Sequence, residues 1–223
     1  MIHVDRFTAP MIFGLLIATV AVAGTPESQP QTALGCPDRV RVCLNVTLHV
    51  ATDDDGARRV TPRWVEAQLG HANRLFGAIG VGFAIASIKP IPVREHRIVS
   101  RRDRDALGRN RLVAGTIPVF VVTHLANVDQ PGVIRGVHWR DRKALKRRWI
   151  ILASYAPAWV LAHELGHFFG LPHSRYRTSI MNKRPRATPR PRDRVFVAPE
   201  RAIMSRRLAR NLKSGALRRH VPR

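Results

Sequence analysis

Residues 157–173 read PAWVLAHELGHFFGLPH, and the interpretation of the whole chain turns on them. Pro157 stands where a helix can begin and Gly170 stands just past Phe169, where one can end. That asymmetry follows from the missing N–H of proline and the positive-φ freedom of glycine. The stretch therefore predicts a helix over 157–169. His163 and His167 are four residues apart on it, so they share a face about one turn apart and both imidazoles can reach one ion. Glu164 is rotated by about 100° from His163, which suits it to a water beside the ion better than to ligation. Beyond the helix, Gly170 lets the chain swing back so that His173 can supply a third nitrogen. Three neutral imidazoles leave a tetrahedral zinc one open position for water, as a hydrolytic site requires.

A histidine pair on a helix is common. Here five positions are fixed together: His163, Glu164, His167, Gly170 and His173. With this chain's composition, chance produces that string roughly 3 times in 100,000, so an accidental match is rejected. The context agrees, because Trp149–Ala153 (WIILA) is a short apolar strand that hands over to the helix.

Working outward, Val40–Val50 alternates apolar and polar residues with the period of a half-buried strand. The run Asp53-Asp54-Asp55-Gly56 ends it as a turn; its spacing lacks the rest of a calcium-loop pattern. Thr61 can cap a helix that Pro62 starts, with Trp64, Val65, Leu69, Ala72, Leu75 and Phe76 at helical spacing and Gly77–Gly80 closing it. Val81–Ile88, Ile117–Val122 and Val133–Trp139 read as further strands. The arginine-dense segment 94–111 reads as a solvated loop. After an irregular stretch over 184–194, Pro199–Lys213 places Ile203, Met204, Leu208 and Leu212 near one helical face. The fold class is mixed α/β (α+β) around a largely buried five-stranded sheet.

Composition bounds the rest. The chain has 223 residues, 45% of them hydrophobic, and a formal charge of +23. Of 38 basic residues 33 are arginine. That balance excludes an acidic, disordered solvating protein and leaves contact with polyanions open. Residues 1–23 read as a signal peptide: Arg6 precedes the 13-residue apolar run Met11–Ala23, too short for a span of about 20 residues, and Ala21-Val22-Ala23 offers a cleavage site. Residues 24–39 read as a flexible leader, and 40–223 as one catalytic domain with a basic C-terminal segment. The expected localisation is secreted, periplasmic or extracellular, with no transmembrane span after cleavage. Cys36 and Cys43 are too few for a disulfide scaffold or a four-thiolate zinc site. In an oxidising compartment they are expected to pair if Pro37-Asp38 turns the chain; a thiolate of Cys36 capping a metal is the alternative.

The string His163–His173 is the signature of the metzincins, and the chain resembles that clan of zinc metalloproteases. Ser179-Ile180-Met181-Asn182 lies beyond His173 where the clan has its methionine turn, and Gly170-Leu171-Pro172-His173-Ser174 resembles the matrixin branch. The resemblance implies a twisted, mostly parallel five-stranded sheet with an antiparallel edge strand, an active-site helix and a C-terminal helix. It implies one catalytic Zn2+ on His163, His167 and His173, Glu164 as the general base for a zinc-bound water, and structural support from Gly170 and Met181. The edge strand, here Val133–Trp139, is implied to pair with extended substrate. The astacin branch has a tyrosine two residues after the methionine; this chain has Lys183.

The function expected is a secreted zinc-dependent metalloendopeptidase acting on protein or peptide substrates. Two other classes stay open: an exported cationic protein that binds envelope or other anionic surface polymers around a structural zinc, and a zinc hydrolase of a non-protein amide. No nucleic-acid-binding module is recognisable, so no specific nucleic-acid partner is expected.

Overall fold

The computed structural model describes residues 34–184 and 188–221. The signal peptide read at 1–23, and residues 24–33 of the leader, lie outside the described residues. Among the described residues, seven strands and four α-helices follow in order: β1 (Val42–Ala51), α1 (Pro62–Phe76), β2 (Val81–Ile91), β3 (Arg97–Ile98), α2 (Arg101–Gly108), β4 (Ile117–Val122), β5 (His124–Leu125), β6 (Gly136–Arg140), β7 (Arg148–Ala153), α3 (Val160–Phe168) and α4 (Ala198–Lys213). Five of the strands make one sheet in the order β2-β1-β4-β7-β6, and β3 pairs with β5 apart from it. The pairs β1–β2, β1–β4 and β4–β7 are parallel; β6 runs antiparallel to β7 with Gly136 opposite Leu152 and Arg140 opposite Arg148. This is the mostly parallel sheet with one antiparallel edge that the resemblance implied.

A parallel strand covered on both faces needs apolar residues at every position. IPVFVV of β4 meets that requirement, and all six residues are buried. Ile117, Val119 and Val121 face a core shared with α1, α3 and α4; Phe120 and Val122 face a second core with Ile98, Leu107 and Trp149. Helix α1 begins as read, with the Thr61 hydroxyl accepting from Trp64 N–H at 3.2 Å.

The segment 94–111 corrects the solvated-loop expectation. It holds β3 and helix α2, which is closed by a capping box: Ser100 Oγ accepts from Asp103 N–H, and the Asp103 carboxylate accepts from Ser100 N–H. Ile98, Arg104 and Leu107 are buried. Arg104 donates from Nη2 to the Ala126 carbonyl at 2.7 Å and lies 4.9 Å from the Trp139 ring centroid, while its Nε has no partner. The arginine count of this segment concealed its inward face. Two boundaries also move. The active-site helix starts at Val160 rather than Pro157: the Pro157 carbonyl accepts from Val160 N–H in a tighter turn, and Gln68 on α1 bonds the Ala156 and Pro157 carbonyls and Leu161 N–H in place of helical bonds. The edge strand starts at Gly136 rather than Val133, which makes only an isolated bridge to Ala126.

Cys36 and Cys43 form a disulfide, with a turn after Pro37 bringing their Cα atoms to 5.9 Å. Within the leader as read, residues 34–39 are thus fastened to β1, and Leu34 packs on the larger core. Among the described residues no helix is long and apolar enough to cross a membrane.

His49 on β1 is buried, stacks on Phe120 at 4.6 Å between ring centroids, and has no partner for either ring nitrogen. Burial, and then the positive charges of Lys89 and Arg111, push its pKa from 6.5 down to about 4. Between those values the unfolded chain binds a proton that the folded chain refuses, so stability is lost as pH falls from 6.5 toward 4. The thermal midpoint is expected to drop across that window, and to drop less steeply in His49→Leu. An equal slope in the variant assigns the effect to other groups.

Candidate metal centre and active site

Helix α3 carries no side-chain cap of its own; the Gln68 side chain accepts from Leu161 N–H at 3.1 Å and anchors its start. Its end is closed by backbone alone. Leu171 N–H donates to Gly166 C=O and Gly170 N–H to His167 C=O, with Gly170 at φ +94°. That paired reversal needs a left-handed residue after the helix, which glycine supplies without a Cβ penalty. The chain turns back at once, and the His173 ring comes to 4.6 Å from that of His167 and 5.5 Å from that of His163.

The structure thus brings together the three histidines singled out from the sequence. One nitrogen of each lies within 4.8 Å of the other two, and Nε2 of His167 is 3.2 Å from Nε2 of His173. The hydrogen bonds behind the rings set the tautomers. His163 Nδ1 donates to the Ile180 carbonyl at 2.8 Å and His167 Nδ1 to the Leu171 carbonyl at 2.7 Å. A ring that donates from Nδ1 keeps its lone pair on Nε2, aimed at its neighbours. Burial pushes all three imidazoles below their usual pKa, His163 and His173 to about 4. Neutral, convergent nitrogen donors of this kind fit a zinc ion.

Glu164 is buried between α3 and β6 and lines a cleft of about 580 Å³ with His163, Trp159 and Lys183. Burial pushes its carboxyl up to about 8; the His138 backbone N–H and the distant Arg104 charge pull the other way. The sequence did not mark Gly136, which makes this packing possible. A Cβ there would lie 2.6 Å from Val160 and 3.0 Å from the Glu164 carboxylate.

Met181 is fully buried against α3 at Gly166, where a Cβ would meet its sulfur at 2.4 Å. The turn that holds it is tied to α4. Ser179 Oγ accepts from Met181 N–H at 2.9 Å and donates to the Glu200 carboxylate, whose oxygens lie at 2.7 and 2.9 Å. Glu200 is itself buried and also accepts from Val197 N–H. The sequence placed Glu200 on the C-terminal helix, as found, but did not connect it to Ser179; a glutamate in the first turn of an amphipathic helix was the only signal of this clasp. Of the other histidines, His96 bonds the Ile91 carbonyl, His220 bonds Asn45, and His138 packs on Phe168 with Nε2 unpaired. Among the described residues none of these joins a metal-binding group.

Comparison with known proteins adds a family and a fold. Residues 128–194, less than half of the chain, match the matrixin peptidase family. The matched segment runs from before the edge strand through the three histidines and the methionine turn. Among solved structures, metalloproteinase-II from Bacteroides fragilis is similar with a TM-score of 0.52 and 14% identity, over 81% of this chain and 58% of that one. The chain therefore spans little more than half the length of that neighbour. Archaemetzincin from Methanopyrus kandleri aligns with a TM-score of 0.49 and 16% identity, over 74% of this chain and 96% of that one. No curated protein matches. The family match, carried on a metzincin-like sheet, supports a metzincin-clan zinc metalloprotease.

Two variants test the local supports. Gly170→Ala forces a left-handed backbone on a residue with a Cβ and is expected to cost about 1–2 kcal/mol in thermal or urea unfolding, with a larger loss in zinc affinity because His173 shifts. Ser179→Ala leaves a buried carboxylate short of a donor and is expected to cost about 1–3 kcal/mol. Unfolding midpoints equal to the parent's contradict either assignment.

Proposed function

We propose that this metzincin-like chain is an exported zinc endopeptidase in which His163, His167 and His173 hold one zinc ion and Glu164 is the general base. The observation that carries the reading is the coincidence of three convergent imidazoles with a buried carboxyl, Glu164, on the helix that bears two of them, beside the end strand of a sheet. Export is supported by the 36–43 disulfide, a bond that oxidising compartments preserve.

Bound at the triad, zinc supplies Lewis acidity, which polarises a scissile carbonyl, lowers the pKa of a coordinated water and favours the ionised form of Glu164. The residues of the chain do the remainder. Glu164 takes the proton of the attacking water on its carboxylate and returns it to the departing amine nitrogen, so that its own charge is restored at the end of the cycle. The outer edge of β6 presents backbone N–H and C=O groups that an extended peptide can pair with as an added strand. That pairing holds the peptide across the cleft beside Glu164. Met181 and the Ser179–Glu200 clasp form the floor that keeps α3 in place under load from substrate.

A peptide-library digest tests this reading against the alternatives. Cleavage is expected with zinc and its loss with a chelator. Glu164→Gln is expected to retain bound zinc, measured by metal analysis, while kcat falls by about 100- to 10,000-fold. Hydrolysis that persists in chelator, or a variant that cleaves like the parent, overturns the assignment.

A further inference from the structure

Beyond the metal centre, at the far end of β6, three arginines meet without an acid. Arg140 and Arg148 are cross-strand partners in the β6–β7 register, and Arg207 approaches from α4. With Asn211 they line a cavity of about 460 Å³. Arg148 is half-buried, its guanidinium 4.1 Å from the Phe168 ring centroid and donating to Asn211 Oδ1 at 3.1 Å. Burial, together with the charges of Arg207 and Arg140, pulls its pKa down to about 10. None of the ion pairs among the described residues involves this trio. Asn211 is 94% buried, lines the cavity, and its Nδ2 has no partner. Arg207 and Asn211 stand one helical turn apart on α4, so they present their donors on one face.

Like charges so close repel, and a buried N–H without an acceptor costs about as much as a lost hydrogen bond. An anion in the cavity relieves both. Position says which anion. Gly136, at the start of β6, lies directly over the Glu164 carboxylate. Arg140 is four residues further along the same strand, about 13 Å away at the usual rise. A groove of about 530 Å³ is bordered both by His167 of the triad and by Arg140 of the cluster, with His138 and Gly170 also in its lining. Arg207 borders it, with Nε 3.5 Å from where a Gly170 Cβ would be.

We propose that Arg140, Arg148, Arg207 and Asn211 form a subsite for a carboxylate side chain of the substrate, about four residues from the scissile bond, so that acidic peptides are preferred. The proposal rests on the peptidase reading and deepens it. An extended peptide added to β6 matches it residue for residue, and a cross-strand pair projects to the same face. An aspartate or glutamate opposite Arg140 therefore points toward the cluster. If the peptide runs antiparallel to β6 the acid precedes the scissile bond; if parallel, it follows.

The test uses the zinc-loaded chain and matched peptides carrying Asp or Asn at the library-mapped position. The parent is expected to favour Asp by about tenfold or more in kcat/KM. Arg140→Ala, and the double variant with Arg207→Ala, are expected to bring the ratio toward one, while Arg94→Ala keeps it. Near-ultraviolet circular dichroism checks that each variant is folded, and Arg140→Ala removes an exposed side chain, so one clean comparison is secured. Binding of the same peptides to the Glu164→Gln chain is measured in parallel. A chain that cleaves nothing yet binds Asp more tightly than Asn through Arg140 and Arg207 sinks the peptidase reading and keeps the carboxylate site. A chain that cleaves or binds both peptides equally sinks the subsite. Binding of dextran sulfate that depends on the arginines, with no Asp preference, also overturns it.

Discussion

The reversal of the chain at Gly170 is the constraint on which the rest of the site depends. Two histidines on one helix can meet through helical periodicity alone, but a third must come from a different direction. The pair of backbone hydrogen bonds across residues 166–171, closed by a left-handed glycine, redirects the chain within one residue and delivers His173 to its partners. The same reversal presents the Leu171 carbonyl to His167 Nδ1, so the turn that positions one imidazole also sets the tautomer of another. The Ile180 carbonyl does the same for His163 from the methionine turn. Backbone groups are well suited to this task because their positions are fixed by the fold rather than by side-chain rotamers.

Two buried glutamates near the site sit in different surroundings. Glu200 accepts hydrogen bonds from Ser179 and Val197 and joins α4 to the methionine turn. Its oxygens are occupied, and its role is structural. Glu164 has little to hold it in the ionised state, since burial dominates its surroundings and raises its pKa. A buried carboxyl beside a cleft is the setting in which the proton transfer proposed for Glu164 would take place.

The surplus of arginine is not spread uniformly over solvent. Arg104 is buried under Trp139, and Arg194 ties the segment after Met181 by donating to the Asn182 carbonyl at 2.8 Å. Arg111 is paired with Glu95. Guanidinium groups serve in such places because their several donors reach carbonyl oxygens in fixed directions while the stem packs against apolar surface. The trio at Arg140, Arg148 and Arg207 stands out against these, since it has donors and no acidic acceptor.

Much of the chain was legible in its residues. The period of two in β1, the unbroken apolar run of β4, the Thr61 cap and the spacing from His163 to His173 are local signals, and the order of elements follows from them. The boundaries that failed have a tertiary cause. Gln68, 89 residues from Pro157 in sequence, bonds the Ala156 and Pro157 carbonyls where α3 was read to begin, and α2 turns inward with Leu107 and with Arg104 stacked on Trp139. Gly136 looked like any other glycine until the sheet edge was laid over Glu164. Local periodicity and backbone chemistry were written in the sequence; which distant groups desolvate, cap or crowd one another was decided by the packing, because those energies arise only when the elements meet.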